Sequence, residues 1–243
     1  AGTEGTVNST AAAWGAFDLV RRPWMALRVR THLAGTARAL PEGRWLLVAN
    51  HESFWDGFLL RDVQRSLGPG RSFHAVMLDR ELGPRPWLRA LGALGVTPGS
   101  LARSRALVAS VETLPDDAVL AFFPQGRIRP GSPRPLDFQT GIAALCRRIA
   151  PVAVLPVGLR VVTGRTARAE AYVCVGEPVA ATGRRLDTPG LEEAVTAQVD
   201  AVDDFLARYG EDAPEMWPGP DGFLEPARPE WFQTTSPTWA SRN

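Results

Sequence analysis

The chain has 243 residues, 45% hydrophobic and 22% charged, which suits one large α/β domain and excludes a disordered or fibrous chain. A formal charge of +1 leaves no whole-chain field to gather nucleic acid, so none is expected as a partner. All 27 basic residues are arginine, whose planar fork suits phosphate and carboxylate groups better than an ammonium does. Cys146 and Cys174 stand far apart in apolar surroundings and are expected as buried free thiols rather than a disulfide. With no C-x-x-C pair and no His/Cys cluster, no metal is expected. The opening residues lack the basic-then-apolar order of a signal peptide, and no window approaches the ~20 apolar residues of a membrane span. A soluble or surface-bound protein is expected.

In chain order, residues 1–10 are expected to be without structure. From Thr10 to about Ala34, apolar residues recur at three- and four-residue steps: Trp14, Phe17, Val20, Trp24, Leu27 and Thr31. This predicts an amphipathic helix that Pro23 kinks or divides. It would either pack on the domain or lie on a membrane surface with its arginines near anionic headgroups. Strands are expected at Trp45–Ala49, Ser72–Met77, Ala118–Pro124, Val152–Arg160 and Ala169–Gly176. Helices are expected from Trp55 to Ser66, within Pro84–Gly95, from a Ser100 or Ser104 cap to Leu114, at Phe138–Arg148 and at Leu191–Arg208. Alternating strands and helices predict an α/β fold, a mixed, largely parallel sheet flanked by helices, preceded by the N-terminal amphipathic helix. The expected organisation is a helical segment at 1–35, an α/β domain at 36–209 and an irregular Pro/Trp-rich tail at 210–243. In that tail Trp217, Phe223, Trp231 and Trp239 could drape over the domain.

The stretch "VANHESFWDGFLL" (48–60) stands out. A strand ends at Asn50, His51 follows at once, and Asp56 falls in the first turn of the next helix. Reactive groups in α/β sheets gather beyond the carboxyl ends of strands. The turn would fold the Asp56 carboxylate back onto Nδ1 of His51, fixing the tautomer and leaving Nε2 free to take a proton from a hydroxyl. By spacing alone such a pair is more often a local hydrogen bond. Ser53, between the two, has no arrangement that makes it a nucleophile. Trp55 is expected to pack the helix start and Glu52 to be solvated or to cap locally. His32 is expected on the N-terminal helix, and His74, mid-strand, as a satisfied core residue.

Further along lie "VMLDRELGPRPWLRALGALGV" (76–96), "AFFPQGRIRP" (121–130) and "VLPVGLR" (154–160). With the first stretch, these resemble in order the four blocks of the glycerolipid acyltransferases, the lysophospholipid (1-acylglycerol-3-phosphate) acyltransferase family, over about residues 45–176. The resemblance implies a general base, His51, oriented by Asp56. It also implies an acyl thioester donor on coenzyme A or acyl carrier protein, a lipid hydroxyl acceptor and direct attack without a further cofactor. It places Phe123, Pro124, Gln125 and Gly126 on the acceptor side; the neighbouring Arg127 and Arg129, which the family pattern does not supply, are candidate acceptor-binding arginines. Backbone N–H groups of the Gly126 turn are candidates for the oxyanion stabiliser that acyl transfer requires. The implied location is cytoplasmic, peripheral on the inner face of the membrane.

The third block departs from the family's F-P-E-G-T-R-S: Gln125 replaces its Glu, Arg127 its Thr and Ile128 its Arg. The second block ends at Gly99 or Ser100 where the family often has arginine. Arg103, Arg105, Arg127, Arg129 and Arg134 are either replacements for those phosphate ligands or solvated loop charges. Gln125 keeps an amide that can bond hydroxyls. Within the lysophospholipid-like or other lipid acceptors that the family implies, a bulkier, less anionic one than glycerol phosphate is therefore expected. The F-P-Q-G form resembles a branch of the family found with carotenoid and glycolipid modification, which implies a sugar or terpenoid hydroxyl as the alternative. The same dyad could instead activate water and make a thioester hydrolase.

Overall fold

The computed structural model describes residues 2–35, 40–149, 152–164, 166–180, 187–219 and 222. The strands are β1 (Val29–Gly35), β2 (Trp45–Ala49), β3 (Phe73–Leu78), β4 (Leu94–Val96), β5 (Val119–Phe122), β6 (Ala153–Thr163), β7 (Ala169–Val175) and β8 (Val179–Ala180). The helices are α1 (Gly2–Ala26), α2 (Asp56–Leu67), α3 (Asp79–Leu82), α4 (Leu101–Glu112), α5 (Gly141–Ile149), α6 (Thr188–Tyr209) and α7 (Ala213–Met216). The sheet runs β1-β7-β6-β2-β5-β3-β4, with β8 also on β6. Strands β6, β2, β5, β3 and β4 are mutually parallel, and β7 is antiparallel to β6.

Strand β2 shows why the sheet is buried on both sides. Trp45, Leu47 and Ala49 join one core with Leu59, Leu60 and Val63 of α2. Leu46 and Val48 join the other, with Leu107 of α4, Ile142 and Leu145 of α5, and Val195 of α6. All five residues of β2 are buried, as expected of a central parallel strand. The chain leaves β2 by α2 on one face and β5 by α5 on the other, although the two strands are neighbours. Their carboxyl ends therefore border a crevice at a switch point, where α/β sheets place their ligands. Gly158 lets α6 sit close on β6, because a Cβ there would lie 2.5 Å from the Gln198 carbonyl carbon.

The amino-terminal expectation needs correction. The chain is helical from Gly2, and α1 stops at Ala26, one turn after Pro23, rather than near Ala34. Residues 29–35 form β1, parallel to β7, so this part of the expected helical segment belongs to the sheet. Val29 and Thr31 are β-branched, and the Pro23 ring disfavours a longer helix. His32 therefore lies on a strand, bonded to Glu170 at 2.7 Å and stacked on Tyr172. The expected single apolar stripe on α1 also splits. Trp14 and Met25 are buried, whereas Leu19, Val20 and Leu27 are 78%, 71% and 77% exposed.

Between α1 and α2 lies a buried charge cluster. Asp18 accepts from Arg21 Nε at 2.7 Å, Arg65 at 2.7 Å and Arg61 at 3.2 Å, and Arg21 also reaches Asp62 at 2.7 Å. Burial pushes the Asp18 carboxyl up, but Arg21, Arg65 and Arg61 together hold it below its ordinary value. A depressed carboxylate contributes stability that is present above its unfolded pKa, about 4, and is lost as the pH falls through the folded value. Acid titration followed by tryptophan fluorescence is thus expected to show a transition beginning near pH 4 that Asp18→Asn removes.

The start of the carboxyl-terminal segment is ordered rather than irregular. Residues 213–216 form α7, and Trp217 packs on Tyr172 and Phe205 with ring centroids 5.0 Å away. Phe223, Trp231 and Trp239 lie outside the described residues.

Candidate active site

Strand β2 ends at Ala49, but β6 runs on beside the chain as far as Thr163. Asn50 bridges the gap with its side chain. Its Oδ1 accepts from Leu159 N–H at 2.8 Å, and its Nδ2 donates to Leu159 O at 2.9 Å and to Ser132 Oγ at 2.7 Å. The amide thereby mimics one more residue of strand pairing and brings His51 out at the crevice.

His51 is held at each of its other polar atoms. Its N–H donates to Gln125 Oε1 at 2.6 Å, and its carbonyl accepts from Arg129 N–H at 2.7 Å. Nδ1 bonds Asp56 Oδ2 at 2.8 Å. The imidazole stacks on Phe123 with centroids 4.3 Å apart, and its side chain is 23% exposed. Nε2 has no hydrogen bond among the described residues. Asp56, at the first position of α2, is fully buried. Its Oδ2 also accepts the N–H groups of Glu52 at 2.7 Å and Ser53 at 2.9 Å, and its Oδ1 accepts the Ser53 hydroxyl. All of these donors converge on the Asp56 carboxyl, which in turn fixes the Nδ1–H tautomer of His51.

The acceptor-side residues divide. Phe123 packs on His51 and Pro124 O accepts Gln139 N–H at 3.0 Å. Gly126, at φ +64, makes a turn only glycine adopts readily, and its N–H is spent on Phe123 O at 3.1 Å. Its own N–H is therefore committed within the turn. Gln125 is buried, and its oxygen is fixed by the His51 N–H donor. Its Nε2 is buried without a partner among the described residues. Arg129 donates its guanidinium to Pro135 O at 3.1 Å and Leu136 O at 2.9 Å, so it braces the loop. Arg127 is 63% exposed beside Asp137 at 3.3 Å. Arg103 pairs with Asp79 and Arg134 with Asp200 and Asp203. Arg105 is an exposed residue of α4. His74 is buried and satisfied by Gly92 O and Ser72 Oγ. Among the described residues, no group of three or more His, Cys, Asp or Glu could hold a metal ion.

Glu52 was expected at the surface and is instead buried. Its Oε1 accepts from Val161 N–H at 2.5 Å, and its Oε2 from Arg160 at 2.6 Å and Ser132 Oγ at 3.2 Å. Burial pushes Glu52 above the usual carboxylate range, while Val161 N–H and Arg160 pull it back down. Arg160, despite burial that lowers it, is raised by Asp203 and Glu52 and stays charged. The signal for this pair was an acid and an arginine at the ends of two strands, "NHE" and "VGLR". It is visible only once those strands are known to be neighbours.

A model of the Acyltransferase family matches residues 29–160, more than half of the chain. No curated protein matches. Among solved structures, the 1-acyl-sn-glycerophosphate (LPA) acyltransferase PlsC from Thermotoga maritima is similar in fold. Its TM-score is 0.50 at 18% identity, covering 81% of this chain and 78% of that chain. The family match runs from β1 through Arg160 and takes in the His51–Asp56 pair and the loop after β5, and so the chain belongs to the Acyltransferase family.

Proposed function

We propose that the protein moves a fatty acyl group from an acyl thioester, on coenzyme A or acyl carrier protein, to a hydroxyl of a lipid acceptor. The observation that carries this is the unspent Nε2 of His51. His51 Nε2 takes the acceptor's proton as its oxygen forms a bond to the thioester carbonyl carbon. Asp56 holds the proton on Nδ1 and stabilises the imidazolium. When the C–S bond breaks, the imidazolium returns a proton to the thiolate, giving ester and free thiol.

Gln125 Nε2 is the buried donor beside His51, suited to a carbonyl or hydroxyl oxygen of the substrates. A glutamate there would keep the bond to His51 N–H and turn that donor into an anionic acceptor. Gln125→Glu is expected to lower turnover about 10- to 100-fold, the value of one buried hydrogen bond replaced by a repulsive contact. The measurement is kcat/KM on the preferred acceptor, and wild-type turnover would reject the role.

The arginines support one kind of acceptor over another. The guanidinium of Arg129 is committed to carbonyls and Arg127 to Asp137. This supports a hydroxyl lipid with little negative charge, such as a glycolipid or a terpenoid sugar, rather than the anionic 1-acyl-sn-glycerophosphate named for PlsC. A panel of lysophospholipid, glycolipid and terpenoid alcohols crossed with acyl-CoA chain lengths tests this. The expected preference is for the glycosylated alcohols, and selective turnover of lysophosphatidic acid with glycosylated lipids inert would contradict it.

A lipid acceptor supports a membrane-surface location, which we read as peripheral on the inner face. Among the described residues, no helix is long and apolar enough to cross a membrane. Exposed Leu19, Val20 and Trp24 on α1 and Leu27 just after it, with Arg28 over the Trp24 ring, support an interfacial face. From Trp24, ring contacts pass to Trp55 and Phe54 beside the catalytic loop. Glutamate at positions 19, 20 and 27 together is expected to abolish flotation with anionic liposomes. Undiminished flotation would exclude α1 as the contact.

A further inference from the structure

We propose that Glu52 and Arg160 are positioning residues for the His51–Asp56 dyad, an inference that rests on reading His51 as the general base. Glu52 is tied at both ends. Its N–H donates at 2.7 Å to Asp56 Oδ2, the same oxygen that takes Nδ1 of His51 at 2.8 Å. Its carboxylate is fixed to β6 through Val161 N–H at 2.5 Å and Arg160 at 2.6 Å. Rotation of the peptide that aims at the dyad would therefore break a buried ion pair.

The clamp extends outward. Arg160 grips Asp203 of α6 with Nε at 2.5 Å and a terminal nitrogen at 2.6 Å. Arg134, on the loop after β5, reaches the same Asp203 at 3.0 Å and donates to Ser132 O at 2.5 Å. Ser132, buried and held at φ +39, closes the circuit through Asn50 and Glu52. The residues on either side of His51 are thus both anchored to β6, and the anchor joins the loop after β2, the loop after β5 and α6. A buried ion pair is a poor route to stability, since apolar residues of similar volume serve as well or better. Its value here is in fixing geometry: each charged group is bonded at more than one point, and the innermost member touches the dyad through its own backbone.

The test compares Glu52→Asp, Glu52→Ala and the double variant Glu52→Ala/Arg160→Met in the full chain, with His51→Ala alongside. Thermal midpoint, kcat and the KM of donor and acceptor are measured for each. Glu52→Asp keeps the charge, and so the fold, but falls one methylene short of holding both Val161 N–H and Arg160. A kcat about 10-fold lower is expected for Glu52→Asp and about 100-fold lower for Glu52→Ala, the scale set by misplacing a reacting group by an ångström, with both KM values within about twofold. The double variant removes both buried charges and leaves Asp203 its bond to Arg134. It is expected to regain the thermal midpoint lost in Glu52→Ala but not the kcat. Recovery of kcat together with the midpoint, wild-type kcat in Glu52→Asp, or a loss carried by KM would overturn the proposal. An inactive His51→Ala beside a fully active double variant rejects positioning alone. An active His51→Ala rejects the base itself.

Discussion

Exchange of His51 for alanine is expected to lower acyl transfer by about 10²–10⁴-fold, the contribution of a positioned general base. The loss should fall on kcat. The imidazole is held by Asp56 and by stacking on Phe123, and among the described residues its only polar atom without a partner is the one that would meet the hydroxyl. Stability should change little, because the backbone bonds to Gln125 and Arg129 do not depend on the side chain. His51→Gln is the stricter variant. It fills much of the volume and can hydrogen-bond, but it cannot accept a proton at neutral pH. Equal loss in both variants identifies proton transfer as the missing step, whereas a recovery in His51→Gln would mean that the side chain only orients the hydroxyl.

The second large effect belongs to Asp56, where charge and geometry can be separated. Asp56→Ala removes the acceptor of Nδ1–H, of two backbone N–H groups and of the Ser53 hydroxyl, all in a fully buried position. Orphaned buried donors cost ~1–3 kcal/mol each, so a destabilisation of at least about 3 kcal/mol is expected together with loss of turnover. Asp56→Asn behaves differently. The Glu52 and Ser53 N–H groups point at the Oδ2 position and select the amide oxygen there. The Nδ1–H tautomer is thereby kept, and only the negative charge beside the imidazolium is lost. A fall in kcat of about 100-fold, with most of the stability retained, is expected. Melting curves and kcat for the two variants check this. Equal melting temperatures for alanine and asparagine would show that the four bonds do not hold the loop.

The sequence carried the central part of this site because the chemistry is local. A strand end, a histidine and an aspartate at the start of a helix lie within seven residues, and hydrogen-bond geometry does the rest. The parallel sheet was likewise readable from the alternation of apolar runs with helical segments. What escaped depends on distant neighbours. Residues 29–35 continue a plausible helical pattern, and only pairing with β7, far along the chain, makes them a strand. Glu52 looked like a solvated loop acid because Arg160 is 108 positions away. The direction of an arginine cannot be read from its neighbours either. Arg129 was expected to face the acceptor, yet its guanidinium turns back to Pro135 and Leu136 while its backbone N–H, a group common to all residues but proline, serves the base.

The central claim is that His51 activates a lipid hydroxyl, not water, against an acyl thioester. Thiol release from acyl-CoA, measured with and without the preferred lipid alcohol in the wild-type protein and in His51→Ala, tests it most directly. The expected result is release that rises at least about 100-fold with the alcohol, matches ester formation one for one, and collapses in the variant. Release that is independent of the alcohol would identify a hydrolase, and release that persists in His51→Ala would remove the histidine from the chemistry.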